Sequence, residues 1–590
     1  MAVEESSTQL DGNGAVEGAA SEGAASEGAV TKAAPAPVDR EAVRRAKNKL
    51  TDDGRLATMA ELGDERANLT RNERIKIEKP GPKVWDDVVN RYAKEGFASI
   101  EEDDFERFKW IGWYQQRPKD GYFMMRLKIT GGQVSGPQLR VISDIARDYA
   151  RGVVDITTRQ TFQMHWLTIE QAPDIMDRLQ TVGLGVKEGL FGACGDISRN
   201  VISSPLAGLE ANEAIDVYEF ASYANKYFST HAEYADLPRK FKIGVFGRRD
   251  GGQVEINDLS FYGVKRADGT AGYGVMAGGG LSNEPHLAQD LNVFVKPSQA
   301  LEVMEAVVRT FRDHGYRKNR KHARFKYLMA DWGAAKVREE VEKIIGYKLQ
   351  DGEAQPRSKG YEDSLGVFPQ KQEGFSYIGV TVVAGRLTTD QLDVVADIAQ
   401  EFGSGDIRLT VMQNLLIPNV RNENIHRVLE RLDAIGLPVE VSALRKGLVA
   451  CTGIEFCNLA VVETKARAKT IVNLLDEGVK WNESEFFRVN VNGCPNSCGQ
   501  HWIADIGLQG ATKKVDGRLV EHFDVFMGGG LGDHGSGGAR FNKLVKRITA
   551  EEVPDAIIRA IENYRGKKQG DESFADFCAR HSKEELAEMI

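Results

Sequence analysis

Apolar and polar positions form the same pattern in two separate stretches of the chain. In the first stretch, Phe123-Met-Met-Arg-Leu-Lys128 alternates as a half-buried strand does, and a glycine turn follows. Helices interleaved with strands in so short a unit predict an open α+β sandwich, similar to a ferredoxin-like fold. The pattern predicts strands at 122–130 and 375–383, helices at 137–150 and 390–402, a second strand pair, and final helices at 173–182 and 426–435.

The two stretches are copies of each other. Gly121 to Leu184 matches Gly374 to Leu437 without a gap at an offset of 253, and identical residues such as Gly132 and Gln160 recur throughout. The duplication continues at an offset of 250, where Val275–Leu281 parallels Val525–Leu531. Two related halves with a buried cofactor between them are therefore expected, because ligand sites favour domain interfaces.

This duplication predicts an internally duplicated α+β protein, in which each ferredoxin-like half-domain precedes a larger α+β domain. The expected divisions are a disordered acidic tail at 1–45, an N-terminal segment with the first repeat at 46–190, a first large domain at 191–355, a second repeat at 356–442 and a second large domain at 443–590.

Composition excludes several classes of protein. A net charge of −9 with 28% charged residues lacks the basic bias of a nucleic-acid binder. No apolar run approaches the roughly 20 residues that a membrane span needs. Six cysteines without a disulfide framework indicate a reducing compartment, and residues 1–45 lack the apolar stretch of a secretory signal. A cytoplasmic protein is therefore expected, and we expect it to act as a monomer.

Four of the six cysteines lie close together near the end of the chain. Cys451 and Cys457 are spaced as C-x5-C, and Cys494 and Cys498 as C-x3-C. Thiolates clustered in a chain with few cysteines are typical soft-metal ligands. A zinc site more often has shorter spacings, whereas a [4Fe–4S] cube also accepts looser ones. Spacing alone leaves the cube, zinc and a disulfide open.

The two copies differ where chemistry is expected. Arg126 and Arg159 of the first copy are replaced by Gly379 and Met412 in the second. A packing requirement would have preserved the residue type, so the loss indicates an anion-binding role in the first half alone. The cysteines show the opposite bias, because the N-terminal half contains only Cys194.

The segments Cys451-Thr-Gly-Ile-Glu-Phe-Cys457, Asn492-Gly-Cys-Pro-Asn-Ser-Cys498 and Ile503-Ala-Asp-Ile-Gly507 resemble those of the sirohaem and [4Fe–4S] ferredoxin-dependent assimilatory nitrite and sulfite reductases. The resemblance implies that the four cysteines hold the cube, with Cys498 also the axial ligand of the sirohaem iron. It implies that Arg126, Arg199, Lys240 and Lys242 hold the substrate anion. It further implies that the residues binding sirohaem are Arg159, Thr161, Gln163, His165, Arg239, Arg324, Lys326 and Asn496.

Elementary chemistry agrees with these roles. Sirohaem carries many carboxylates, and burying them without cations would be prohibitively costly. Taken singly, however, each of these cations is equally well explained by a structural ion pair or a solvated strand face. Cys194 is expected near the pocket, where Tyr114 could approach it, and Cys578 is expected to be a small buried apolar residue.

The substrate anion is inferred from one position. Lys240-x-Lys242 is similar to the sulfite-type pattern, whereas nitrite-type members usually show Lys-x-Asn. The segments around Cys451 and Cys498 look more nitrite-like, but they do not touch substrate. We therefore expect six-electron reduction of sulfite to sulfide, with reduction of nitrite to ammonia as the alternative.

The electron donor is expected to be another protein. The chain has no G-x-G-x-x-G motif between a strand and a helix, so no nicotinamide or flavin module is indicated. The resemblance implies ferredoxin, an acidic protein that needs a basic docking patch, for which Lys513, Lys514, Lys543, Lys546 and Arg547 are candidates. Two other classes remain: a related precorrin-processing enzyme and a non-enzymatic zinc- or cluster-stabilised scaffold.

Overall fold

The computed structural model describes residues 69–185, 192–353, 355, 357, 364–481, 486–532 and 538–590. The tail at 1–45 lies outside these residues. Within them, no helix is both long and apolar enough to cross a membrane.

Four five-stranded sheets form the framework, and helices cover them. The first small sheet has the order Trp113–Gln115, Phe123–Arg126, Phe162–Leu167, Val153–Ile156, Arg386–Thr388. The second small sheet has the order Gly366–Pro369, Phe375–Val380, Leu415–Arg421, Asp406–Leu409, Gln133–Ser135. The first large sheet has the order Gln289–Asp290, Ala271–Ala277, Leu259–Lys265, Ile243–Phe246, Ile202–Ser203. The second large sheet has the order Leu448–Ala450, Val489–Asn492, Ile506–Val515, Arg518–Met527, Lys543–Thr549.

The helices of eight or more residues alternate with these strands. They are Arg71–Glu78, Gly136–Tyr149, Ala172–Thr181, Tyr218–Thr230, Ala300–His314, Phe325–Ile345, Thr389–Phe402, Ile425–Ala434, Lys465–Gly478 and Val553–Lys567. The two repeats begin their first helix in the same way, because Ser135 and Thr388 each form a capping box with the glutamine three residues on. Pro137 is the second helical residue, since the helix begins at Gly136.

Each small sheet is completed by a strand from the other repeat. Arg386–Thr388 pairs with Val153–Asp155 of the first repeat, and Gln133–Ser135 pairs with Asp406–Arg408 of the second. Both exchanges join positions that correspond at the offset of 253. The two repeats consequently share one hydrophobic core, which runs from Val84 to Leu184 and again from Ile378 to Val439.

Glutamine side chains reinforce the exchange at equivalent places. Gln160 donates from Nε2 to the Leu409 carbonyl at 2.9 Å, and Gln413 donates to the Ile156 carbonyl at 2.9 Å. Both glutamines have a positive φ, 52° and 66°. The large domains have separate cores, and the α+β class with two ferredoxin-like half-domains is confirmed.

Gly385→Ala tests this cross-repeat contact. Gly385 has φ 70°, and an added Cβ would lie 2.8 Å from the Ile156 carbonyl oxygen and from Gln413 Cβ. We expect a loss of roughly 2–5 kcal/mol, from left-handed strain and from overpacking. Thermal unfolding should show a lower midpoint than that of the wild type.

Gly405→Ala is the matched control, because Gly405 has φ 84° but nothing within 4 Å of the added Cβ. It should lose only the strain of about 1–2 kcal/mol. Equal midpoints for the two variants would show that the close approach between repeats adds nothing.

Candidate active site

A cavity that is partly open to solvent lies between the two halves. The first half contributes most of its polar lining, and the second half contributes the segment around Cys451 and Cys498. The lining comprises Arg126, Asp155, Ile156, Thr157, Thr158, Arg159, Gln163, Ala193, Arg199, Asn200, Lys240, Lys242, Gln413, Ala450, Cys451, Thr452, Lys465 and Cys498.

All four residues proposed from the sequence to hold an anion line this cavity. Arg126 ends the strand Phe123–Arg126, whereas Arg199 and the two lysines come from segments of the first large domain. Two backbone hydrogen bonds join those segments: the Arg199 amide donates to the Phe241 carbonyl at 2.7 Å, and the Phe241 amide donates to the Ile197 carbonyl at 3.0 Å. The backbone therefore fixes Arg199 next to Lys240 and Lys242.

The cavity concentrates positive charge in a buried place. Burial, and after it the charges of Arg324 and Arg159, lowers the pKa of Lys242 to about 7. Burial, Arg324 and Arg199 lower the pKa of Lys240 well below its ordinary value. Even Arg159 has its pKa lowered to about 9, with burial as the main cause. Such a site favours a negatively charged occupant, because an anion would offset the cost of burying these charges.

Several polar atoms at the cavity have no protein partner. Arg159 Nε, Arg199 Nε and Asn200 Oδ1 are buried without a hydrogen bond among the described residues. Native proteins seldom leave such groups unpaired, so each calls for an explanation. An anionic ligand would satisfy the two guanidinium N–H groups.

Arg126 is held in place by contacts with Gln163, Cys194 and Tyr114. Its guanidinium donates to Gln163 Oε1 at 2.7 and 3.2 Å and lies 3.3 Å from Cys194 Sγ. Tyr114 lies under the guanidinium, with its ring centroid 5.8 Å from Cζ. Burial opposes the charge, but Cys194 and Tyr114 outweigh it and raise the pKa of Arg126. Cys194 and Tyr114 thus both lie beside the pocket.

Asp155 and Lys465 line the cavity, and sequence reasoning missed them. The Asp155 carboxylate accepts two hydrogen bonds from Arg386, at 2.9 and 3.1 Å, and lies 3.5 Å from Lys465 Nζ and 3.6 Å from His165. Burial opposes ionisation, yet Lys465, His165 and Arg386 together hold the pKa of Asp155 well below its ordinary value. A charged residue within the apolar strand Val153–Ile156 was the available signal.

The four clustered cysteines lie at the ends of parallel strands and in the loops that follow. Cys451 follows the strand Leu448–Ala450, and Cys494 closely follows the strand Val489–Asn492. These two strands pair in parallel. N–H groups point at three of the sulfurs: Gly493 N lies 3.2 Å from Cys451 Sγ, Leu459 N 3.4 Å from Cys457 Sγ, and Asn496 Nδ2 3.6 Å from Cys494 Sγ.

The four thiols are electrostatic neighbours. Burial first, and then Cys498, raises the pKa of Cys451 to about 12. Burial also raises the pKa of Cys457 and of Cys494, and Cys498 adds to both. Among the described residues, no three His, Cys, Asp or Glu side chains are grouped to hold a single metal ion. A [4Fe–4S] cube needs four thiolates spread around a larger object.

The corresponding loops of the first half have no cysteine. Gln253 and Gln500 donate to each other's side-chain oxygen at 2.8 Å, and they are 247 positions apart. The same offset relates Ser203 to Ala450. The Ser203 amide donates to Gln160, and the Ala450 amide donates to Gln413. The first half has one residue fewer in the loop before Gln253 than the second half has before Gln500. With that gap, the four cysteine positions correspond to Ser204, Glu210, Arg248 and Gly251. Arg248 and Glu210 form an ion pair of 2.6 Å there.

Six predicted cofactor-binding residues lie outside the cavity lining. Each has a protein partner: Thr161 donates to the Leu127 carbonyl, His165 stacks on Phe456, Arg239 lies 3.6 Å from Asp196, Arg324 pairs with Asp258, Lys326 donates to the Leu281 carbonyl, and Asn496 lies near Cys494. Arg324 still affects the cavity, because its charge lowers the pKa of Lys240 and of Lys242.

The geometry defines a class of site: a buried, cationic cavity that adjoins four clustered cysteines. The model of the nitrite and sulphite reductase 4Fe-4S domain matches residues 194–349 and 443–590. The model of the nitrite/sulfite reductase ferredoxin-like half domain matches residues 114–182 and 368–435. The chain belongs to the ferredoxin-dependent nitrite and sulfite reductase family.

Relatives in this family match most of the chain. Sulfite reductase (ferredoxin) 1 of Mycolicibacterium paratuberculosis is 38% identical over 547 residues, covering 89% of this chain and 97% of that protein. The assimilatory ferredoxin-dependent nitrite reductase of Haloferax mediterranei is 36% identical over 555 residues, covering 88% and 93%. The solved structure of the Mycobacterium tuberculosis NirA protein superposes with a TM-score of 0.83 at 36% identity, covering 89% and 98%.

The family uses sirohaem and a [4Fe–4S] cluster, and the residues of this chain fit both groups. The unpartnered N–H groups of Arg159 and Arg199 suit the carboxylates of sirohaem. Four clustered thiols, three of them with an N–H group directed at the sulfur, suit the cube. Cys451 and Cys498 line the cavity, so the four-cysteine cluster adjoins it.

Anion binding should take up protons. At pH 8 a lysine with a pKa near 7 is mostly neutral, and a bound anion favours its protonated form. We expect nitrite, which is ionised at that pH, to bind with uptake on the order of one proton. Calorimetric titration in two buffers with different protonation enthalpies measures this uptake.

The Lys242→Met variant should take up fewer protons under the same conditions. Binding enthalpies that do not depend on the buffer would show that the lysines of the cavity are already charged before the anion arrives.

Proposed function

We propose that the chain reduces sulfite to sulfide in a six-electron reaction, with ferredoxin as the electron donor. The observation that carries this proposal is the meeting of Arg126, Arg199, Lys240, Lys242 and Cys498 at one cavity. The ferredoxin sulfite reductases of mycobacteria, 37–38% identical to this chain, support it.

The cofactors would be held by residues of both halves. Cys451, Cys457, Cys494 and Cys498 are proposed as ligands of the cube, and Cys498 also as the axial ligand of the sirohaem iron. Arg159 and Gln163 line the cavity beside that position and are proposed to contact the sirohaem. When bound, the cluster and the sirohaem carry the electrons to the substrate.

The chain itself binds the anion and supplies protons. Arg126 and Arg199 present guanidinium groups that suit oxyanion geometry. Lys242, with a pKa of about 7, can hold a proton at neutral pH and release it to an oxygen that leaves as water. The surplus of cations stabilises the negative charge that each added electron brings.

Nitrite is the second candidate substrate. The assimilatory ferredoxin-dependent nitrite reductase of Haloferax mediterranei and the ferredoxin–nitrite reductase of Synechococcus elongatus are 36% and 35% identical to this chain. Lys242 favours sulfite, because a second ammonium interacts more strongly with a dianion than with a monoanion.

The donor is proposed to dock near Cys457, and the enzyme to act as a monomer. Leu459, whose N–H lies 3.4 Å from Cys457 Sγ, is 65% exposed. Lys513 and Lys514 are exposed and belong to one β-hairpin. Glu521 of the same hairpin accepts a hydrogen bond from Glu463 N. This hairpin is favoured over the other basic candidates, since Arg547 pairs with Asp524, and Lys543 and Lys546 contact backbone carbonyls.

Lys242→Asn tests the choice of substrate. The variant loses one positive charge, which costs a dianion more than a monoanion, on the order of 1–3 kcal/mol or roughly 5- to 150-fold in relative specificity. The wild type should prefer sulfite, and the variant should lose sulfite turnover while nitrite turnover holds or improves. The measurement is kcat/KM for both anions with one artificial donor. An unchanged ratio would remove the argument for sulfite and favour nitrite.

Cys451→Ser tests the cluster. A hard oxygen ligand replaces a thiolate poorly, so the variant should lose the cube, and with it turnover. Iron content and the electron paramagnetic resonance of the reduced protein measure the loss. Cys578→Ala is the control, because Cys578 packs in the core of the second large domain and should leave the iron content unchanged. A Cys451→Ser variant with a complete cube would contradict the assignment.

A further inference from the structure

The helix Arg71–Glu78 lies before every segment that the two family models match. One of its side chains nevertheless contacts the backbone segments that support the cationic cavity. Lys76 is only 2% exposed. Its Nζ donates to the Leu237 carbonyl at 2.9 Å and lies 3.0 Å from Asp236, 2.8 Å from Glu73 and 3.7 Å from Asp196. Lys76 therefore joins two segments that are far from it in sequence.

Those two segments carry three of the cavity cations, Arg199, Lys240 and Lys242. The Leu237 amide donates to the Asp196 carbonyl at 3.1 Å. This hydrogen bond begins the backbone pairing that continues through Phe241 to Arg199. Lys76 holds the start of this pairing, since it contacts the carboxylate of Asp196 and the carbonyl of Leu237. The other end of the pairing carries Arg199 and Lys242 into the cavity.

Ion pairs surround Lys76. Arg320 donates to both oxygens of Asp196, at 2.7 and 3.0 Å. Arg317 lies 3.0 Å from Glu73 and 3.1 Å from Asp236. Arg239 also lies 3.6 Å from Asp196, so Lys76 and three arginines face three carboxylates in one ionic network that joins the two segments. Buried networks of this kind often contribute geometry rather than net stability.

The helix does not depend on Lys76 for its attachment. Arg107 donates to the Ile75 carbonyl at 2.9 and 3.1 Å, and the Thr70 side chain caps the helix at the Glu73 amide. Loss of the Lys76 ammonium would therefore leave the helix docked while the network beneath the cavity loses its central cation.

We propose that Lys76 is a positioning residue for Arg199. It holds the Asp196 and Leu237 ends of the backbone pairing together, so the Arg199 guanidinium stays aimed into the anion cavity. This inference rests on the proposed function, since the anion held there is the substrate.

The Lys76→Met variant tests the proposal in the holoenzyme. The dissociation constants of sulfite and nitrite, measured from the perturbation of the haem absorption band, should rise roughly 5- to 100-fold. The KM should rise with them, while iron content and the reduced cluster spectrum stay as in the wild type. If Lys76→Met does not fold, Lys76→Gln serves with the same expectation.

Lys79→Met is the matched control. Lys79 lies just after the same helix and makes ion pairs that do not involve Asp196 or Asp236, with Asp104 at 2.8 Å and Asp87 at 2.7 Å. It should lower the thermal midpoint without changing the dissociation constant of either anion. Equal rises in both variants would overturn the proposal, because general destabilisation would then explain them.

A double-mutant cycle with Arg199→Lys separates positioning from a global effect. If Lys76 acts through Arg199, the rise caused by Lys76→Met should shrink to less than about twofold in the Arg199→Lys background. The same rise in both backgrounds, or no rise in either, would overturn this inference alone. A wild type that binds neither anion would overturn the proposed function and this inference with it.

Discussion

The site depends on keeping like charges together in a buried place. Arg126, Arg159, Arg199, Lys240 and Lys242 line one cavity, and Asp155 is the carboxylate among its lining residues. Burial and mutual repulsion lower the pKa of Lys240 and Lys242, so the empty cavity is electrostatically unfavourable. An oxyanion and the carboxylates of sirohaem are what such a cavity stabilises. Binding of such anions would offset the free energy that this arrangement costs on folding.

Such repulsion requires a rigid frame, and the duplication provides one. The two repeats exchange strands, share a core and fix each other's turns through Gln160 and Gln413. Neither repeat can move away without breaking its partner's sheet. Asp155 links this frame to the site. Its strand pairs with the strand Arg386–Thr388, and Arg386 also neutralises the Asp155 carboxylate. The cross-repeat pairing therefore sets the charge balance at the edge of the cavity.

The sequence predicted local features better than distant ones. The helices Gly136–Tyr149 and Thr389–Phe402 lie within one residue of their predicted bounds, because periodicity and capping act over a few residues. The strand exchange was not predicted, since each exchanged strand pairs with a segment from the other repeat. Arg126 was indicated by its loss in the second copy, whereas Lys242 was singled out only through the family resemblance. Lys465 had no signal, because its partner Asp155 lies 310 positions earlier in the chain.

The two halves have diverged in opposite directions from one scaffold. In the second half the loops present four thiols, whereas in the first the equivalent positions include Glu210 and Arg248, which neutralise each other. Arg126 of the first half corresponds to Gly379 in the second, where a Cβ would lie 2.0 Å from the Ser364 carbonyl. The second half therefore has no room for an arginine at that position, and the first has no ligand set for a cluster. Each half has lost what the other kept. A cavity that adjoins both the cationic side chains and the cysteines can therefore form only where the two halves meet. A single half could not place an anion beside the cysteines.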